Sequence, residues 1–203
     1  MAGPSKGHKA ALGFQTHSGW ACAILAVGSA SDIEIVHRCR VVLYDPKIDG
    51  AKQPFHTAEP MSMANAQTYM ARCKTATDRL AREAMTSLRQ ISEGHGISLS
   101  GVCVIAASGR ALPDLRTILA SHALIHAAEG EFYRNALLSA ADSLEIAADR
   151  LKGKDAAPQI AALLDCSEAA LAQKLGAIGK RAGRPWTLNE KRATMAAWSL
   201  LAR

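Results

Sequence analysis

Short apolar runs dominate the N-terminal part of the chain, and helical spacing dominates the rest. Ala10 to Phe14 and Gly19 to Val27 are apolar on either side of a polar Gln15-Thr16-His17-Ser18 break, and Ile33 to Tyr44 is rich in β-branched residues with partial alternation. Runs of this length and composition predict three regions of strand, the first two a bent strand and its hairpin partner. Asp45-Pro46 closes the third run. Residues 45–60 carry too much Gly and Pro for regular structure and read as a long polar loop, a suitable place for binding.

From Ser62, a good N-cap, apolar positions Met63, Ala66, Met70, Cys73, Leu80, Ala84, Leu88 and Ile91 recur at three- and four-residue steps, predicting a helix that Gly94 and Gly96 stop. Gly101 to Ala107 is continuously apolar and of strand length, as expected of a central strand covered on both faces. A helical region follows from about Pro113 to Leu144, with a break expected at Gly130. Residues 144–150 fit either a helix end or a short strand. Pro158 and Ser167 mark two further helices, the second stopped at Gly179, and Thr187-Leu188-Asn189-Glu190 is a capping-box pattern opening a last helix over 188–202. The order predicts a single α/β domain over residues 10–203, a mixed five-stranded sheet flanked by helices, behind a loose leader at 1–9.

Composition adds constraints. A chain of 203 residues that is 49% hydrophobic buries a real core, which excludes a disordered or fibrous protein. Only 4% is aromatic, so aliphatic residues do most of the filling. Five scattered cysteines without a CxxC pair read as reduced packing residues, which suits the cytoplasm. Lys6 and Lys9 ahead of the apolar Trp20–Val27 stretch outline a secretory signal, but the polar residues 15–18 interrupt it. No run is long enough for a membrane span.

The net charge is +6, and its position matters more than its size. Lys174 to Arg203 carries seven Lys or Arg against Glu190 alone, so a polyanion such as nucleic acid is the partner this end suits, unless it is a solvated basic tail. Lys180, Arg181 and Arg184 would contact phosphate, with Trp186 either stacking on a base or anchoring the final helix. A phosphate-loop nucleotidase is disfavoured because Lys174 stands where that motif needs Gly.

On a helical wheel of about 100° per residue, His122, His126 and Glu129 fall within the apolar stripe of the 113–144 region and span an arc of about 60°. A carboxylate on a buried face needs a partner, a proton, a metal or a water-filled cleft. The three residues read either as an acid–base or metal-binding group or as satisfied core side chains. His17 and Ser18, Arg110 after the central strand, and Lys52 and His56 in the loop would face them if the strand ends converge there. His17, His122, His126 and Glu129 are therefore the catalytic candidates. Ser18, Lys52, His56, Arg110, Lys180, Arg181, Arg184 and Trp186 are the substrate-binding ones. Neither Ser18 nor Ser108 lies in a nucleophile elbow.

The order of elements, with the Gly13-Phe14-Gln15-Thr16-His17-Ser18-Gly19-Trp20 run as first strand and turn, resembles the ribonuclease H-like fold and, within it, Holliday-junction-resolvase-like proteins. The resemblance implies nucleic-acid binding or processing, with Mg²⁺ or Mn²⁺ held by clustered carboxylates. It also exposes departures, since Gln15 stands where a metal-binding Asp is expected and only Glu190 is acidic at the start of the final helix. Glu129 or Glu131 with Glu190 would have to form a reduced site. The implied cleft is degenerate, and whether it cuts stays open. A small-metabolite hydrolase or transferase working through the His/Glu face, and a non-enzymatic interaction protein, are the alternatives.

Overall fold

The computed structural model describes residues 9–106 and 111–203. Its five strands are β1 (Lys9–His17), β2 (Trp20–Gly28), β3 (Ile33–Val42), β4 (Ser98–Ala106) and β5 (Ala148–Lys152), and they form one sheet in the order β3-β2-β1-β4-β5. The first three make an antiparallel meander, while β4 lies parallel to β1 and β5 parallel to β4. The sheet is the mixed five-stranded one that the apolar runs predict, and the ambiguous 144–150 segment leads into its last strand. The Trp20–Val27 stretch that mimics a signal is β2, paired on both sides.

Side chains alternate across the sheet and so build two cores. On one face Leu12, Phe14, Ala23, Leu25 and Val104 pack under α2 (Met63–Gly94) and α4 (His122–Ser143), against Met85, Leu88, Tyr133 and Leu137. On the other, Ala11, Ile24, Cys103 and Ile105 pack under α5 (Ala156–Leu163), α6 (Glu168–Ala182) and α7 (Leu188–Leu201), against Ile160, Leu175, Ile178, Ala197 and Trp198. Gly13 is what lets α7 settle so close: it faces the backbone of Ala193 and Ala197 with no room for a β-carbon. Among the described residues no helix is long and apolar enough to cross a membrane.

Four boundaries differ from the pattern reading, each for a physical reason. In α2 the buried positions are Thr77, Ala81 and Met85, one step round from the expected Leu80 and Ala84. The 113–144 region is two helices, α3 (Leu115–Leu119), capped by Asp114, and α4, with the break at Ala120-Ser121 instead of Gly130. Gly179 does not stop α6; a β-carbon there would run into the Trp186 ring, so this glycine serves close packing. Finally, the 45–60 loop contains a five-residue helix, α1 (Pro54–Ala58), whose N-terminus has no side-chain cap of its own. Its cap comes from Glu129, 74 residues away.

Candidate functional site

The catalytic candidates fall into two polar clusters on opposite sides of the sheet. The first joins α1 to the start of α4. His122 is the first residue of α4 and His126 and Glu129 follow at i+4 and i+7, so all three share one side of the helix, as the wheel predicts. They do not share one environment: the two histidines are exposed and Glu129 is 3% exposed. Glu129 Oε1 accepts from the amides of Phe55 at 2.9 Å and His56 at 3.2 Å, and from His56 Nδ1 at 3.0 Å. Its Oε2 is buried and has no hydrogen-bond partner among the described residues. Burial pushes its carboxyl above the usual value, against the pull of the His56 and Phe55 hydrogen bonds. With one oxygen saturated and the other sealed, this acid orients His56 and cannot meet a substrate.

His56 completes a triangle of imidazoles. Its ring centroid is 5.5 Å from that of His122 and 4.8 Å from that of His126, and the last two are 4.5 Å apart with their Nε2 atoms at 3.0 Å. A ring nitrogen from each of the three lies within 4.8 Å of the other two. The sequence places His56 in a polar binding loop; the structure places it in α1, beside the two histidines of α4.

The fourth catalytic candidate, His17, belongs elsewhere. It ends β1 on the α7 face, where its Nε2 bonds Asn189 Oδ1 at 2.8 Å and its ring stacks on Trp20 at 4.3 Å. Arg40 of β3 lies 4.0 Å from the centroid of the same Trp20 ring. Trp20, Cys22, Arg38, Arg40, Pro185 and Glu190 line a cleft of about 320 Å³ between the sheet and the loop entering α7. The expectation that all four catalytic candidates converge is therefore corrected. Trp20, Arg38, Arg40 and Asn189 were missed; the signal was present in β3, where Arg38 and Arg40 occupy alternate positions of a strand and so share a face.

Among the described residues, carboxylates for two hard cations do not gather at this strand end. The Gln15 amide donates to Thr16 O at 3.1 Å, and its Oε1 is buried without a partner among the described residues. Glu190 Oε2 accepts from the Thr187 amide at 2.7 Å, closing the capping box, and its Oε1 faces Cys22 Sγ at 3.9 Å. Burial raises the Glu190 carboxyl, but the Thr187 hydrogen bonds prevail and hold it below the ordinary value. Among the described residues the histidine triangle is the only group of three or more such side chains with metal-ligand spacing. Glu129 and Glu131 are engaged on the α4 side and Glu190 caps α7 on the other, so the reduced site is not formed. The donor set does not fit the Mg²⁺ or Mn²⁺ pair that the resemblance implies.

Glu131 serves α4 and β5 instead, meeting Arg134 at 2.9 Å and Arg150 at 2.9 Å. Burial raises its carboxyl, yet the hydrogen bonds from Arg150 and Arg134 outweigh that and lower it below 4.5. A lowered acid contributes stability above its unfolded value, and loses it as pH falls through its folded one. Glu131→Gln is expected to flatten the acid limb below about pH 4.5 in urea titrations run at successive pH values; an unchanged limb would refute this role.

The remaining binding candidates fall in several places. Lys180 and Arg184 are exposed, with no side-chain hydrogen bond among the described residues. Arg181 is committed to Asp32 at 2.8 Å and to Ile33 O at 2.9 Å. Trp186 is half-buried over Gly179, packed on the α7-side core, which removes its ring from the role of an open stacking platform. Ser18 sits in the β1–β2 turn, and the Lys52 stem passes over Gly19 beside it. Arg110 lies outside the described residues. Arg38 donates to the carbonyls of Gly183, Arg184 and Pro185 at 3.1, 3.0 and 2.6 Å, pinning the α6–α7 loop to β3.

The geometry can be set beside known proteins. No family model matches the chain, and no curated protein does. Two solved structures of RuvC from Thermus thermophilus do match it. One has a TM-score of 0.50 at 12% identity, covering 94% of this chain and 91% of that one. The other, RuvC in complex with Holliday junction substrate, has a TM-score of 0.51 at 13% identity, covering 95% and 92%. At that identity the likeness shows the fold, and the fold is ribonuclease H-like, as the element order implied.

Proposed function

We propose that this ribonuclease H-like chain binds nucleic acid in the cleft between the end of β1 and the start of α7, and that it does so without two-metal strand cleavage. The observation that carries the reading is the cleft's own lining, in which the Trp20 ring with Arg40 against it lies beside the Arg38-pinned loop that presents Arg184. Cations that track phosphates, next to an aromatic edge, make a general binding surface for a strand. Lys180 in the last turn of α6 and Arg184 in the α6–α7 loop, exposed without side-chain partners among the described residues, extend it. That RuvC is seen with a junction substrate supports a nucleic-acid ligand for this fold. Gln15 and a Glu190 spent on its own helix argue for binding over cutting.

The metabolite-hydrolase alternative draws less support, because Glu129 is walled off from any substrate. Its group is better read as a metal-binding one.

Binding to a fluorescent oligonucleotide should weaken steeply with salt, log K falling for each tenfold rise in salt by about 0.9 per phosphate contact on duplex and about 0.7 on single strands. Arg40→Ala, Lys180→Ala and Arg184→Ala should each make that slope shallower by roughly one contact. Absence of low-salt binding would sink the reading. Strand scission on adding Mn²⁺ would overturn the non-cleaving part alone.

A further inference from the structure

We infer that His56, His122 and His126 form a binding site for a late transition-metal dication of the Zn²⁺ class, with Glu129 as the positioning carboxylate behind His56. The site lies on the α4 side of the sheet and is independent of the nucleic-acid reading, which concerns the α7 side.

Three observations converge on it. The first is ligand spacing. A tetrahedral Zn²⁺ with Zn–N bonds of about 2.0–2.1 Å places its nitrogen ligands about 3.3 Å apart. The His122 and His126 Nε2 atoms are already 3.0 Å apart, and all three ring nitrogens lie within 4.8 Å of one another. The three rings are thus close enough for side-chain rotation to bring one nitrogen of each onto a shared ion.

The second is the proton arrangement around His56. Its Nδ1 is committed to Glu129 Oε1 at 3.0 Å, so Nε2 is the nitrogen left with a lone pair for a metal. An acid behind a ligating imidazole fixes its tautomer and raises its basicity, and such partners are a recurring part of histidine metal sites. Glu129 is itself fixed by two backbone amides of α1, which makes the assembly rigid on that side.

The third is accessibility and donor type. His122 and His126 are exposed and His56 is half-buried, so an ion can enter from solvent and keep a water as its fourth ligand. Imidazole nitrogens favour Zn²⁺, Co²⁺, Ni²⁺ or Cu²⁺, whereas Mg²⁺ and Ca²⁺ demand oxygen. Bound metal would add a polar link between α1 and the first two turns of α4, beside the Glu129 hydrogen bonds and the apolar contacts of Phe55 and Ala58 with Ile125 and Ala128.

The test uses the full-length chain with any affinity tag removed. Zn²⁺ titration by calorimetry should give one site per chain, and Co²⁺ should produce the visible bands of a tetrahedral nitrogen site. His122→Ala, at an exposed position that the fold does not depend on, should lower Zn²⁺ affinity at least tenfold and abolish the Co²⁺ bands. Glu129→Gln should weaken binding by about 10–100-fold, while keeping the ligands themselves. Circular dichroism of each apo variant checks that it is folded. Failure of the wild type to take up Zn²⁺, or unchanged uptake by His122→Ala, would overturn the site, the latter by assigning the metal to thiols or to adventitious groups. Oligonucleotide affinity of His122→Ala should equal that of the wild type, so the two readings can fail separately.

Discussion

Gly13→Ala should destabilise the protein by about 3 kcal/mol, the upper end of overpacking costs and a large part of a typical domain's stability. A new β-carbon would lie 2.5 Å from the Ala197 amide nitrogen, and closer still to the carbonyl oxygen of Ala193. Both are backbone atoms in a hydrogen-bonded helix, so neither can swing aside as a side chain would. Relief requires α7 to lift off β1, which opens the core around Ala193, Ala197 and Trp198. A glycine-to-alanine change in permissive surroundings goes the other way, stabilising by about 0.4–1 kcal/mol through the unfolded chain. Gly176 provides that contrast, since its added β-carbon meets nothing within 4 Å on helix α6. Urea midpoints at constant slope should therefore fall for Gly13→Ala and rise slightly for Gly176→Ala. Equal midpoints for Gly13→Ala and the wild type would disprove the close approach.

The second large effect is at Glu129. Its removal in Glu129→Ala leaves two amides and an imidazole N–H in a mostly buried site without their acceptor, and should cost about 3 kcal/mol. Glu129→Gln is expected to cost less than about 1 kcal/mol, because a carboxamide oxygen still accepts from the α1 amides and spares the desolvation of a charge. The raised carboxyl gives the pH signature. Its stabilising contribution is complete below the ordinary Glu value of 4.5 and is lost as pH rises through the folded value, the reverse of Glu131. Glu129→Gln should remove that upper-limb loss. If hydrogen exchange at the amides of Phe55 and His56 is no faster in Glu129→Ala than in the wild type, the cap is not what holds α1.

What could be read from the letters follows the range of the forces involved. Local signals survived: the Ser62 cap, the Thr187 capping box and the apolar run of β4 each depend on residues a few positions apart. So did the i, i+4, i+7 placement of His122, His126 and Glu129. The misses are tertiary. α1 has no side-chain cap of its own, and its leading amides are capped instead by a carboxylate from α4. Gly179 looks like a helix stop until Trp186 is seen lying on it. His17 was grouped with the other histidines on an assumed meeting of strand ends, whereas β1 delivers it to the α7 side, against Trp20 and Asn189. The alternation in β3 puts Arg38 and Arg40 on one face, but what Arg38 grips is visible only once the 183–185 loop is folded against it.

The strand order leaves β3 and β5 as the two outer rows of the sheet, each with an unpaired line of amides and carbonyls. Such rims recruit other chains unless something discourages it. Here β3 is lined with Glu34, His37, Arg38 and Arg40, and Arg181 occupies the Ile33 carbonyl. On the far side β5 is only five residues long and carries Asp149, Arg150 and Lys152. The cations of β3 thus have a second consequence: charged side chains along an outer strand disfavour its pairing with the sheet of a neighbouring molecule.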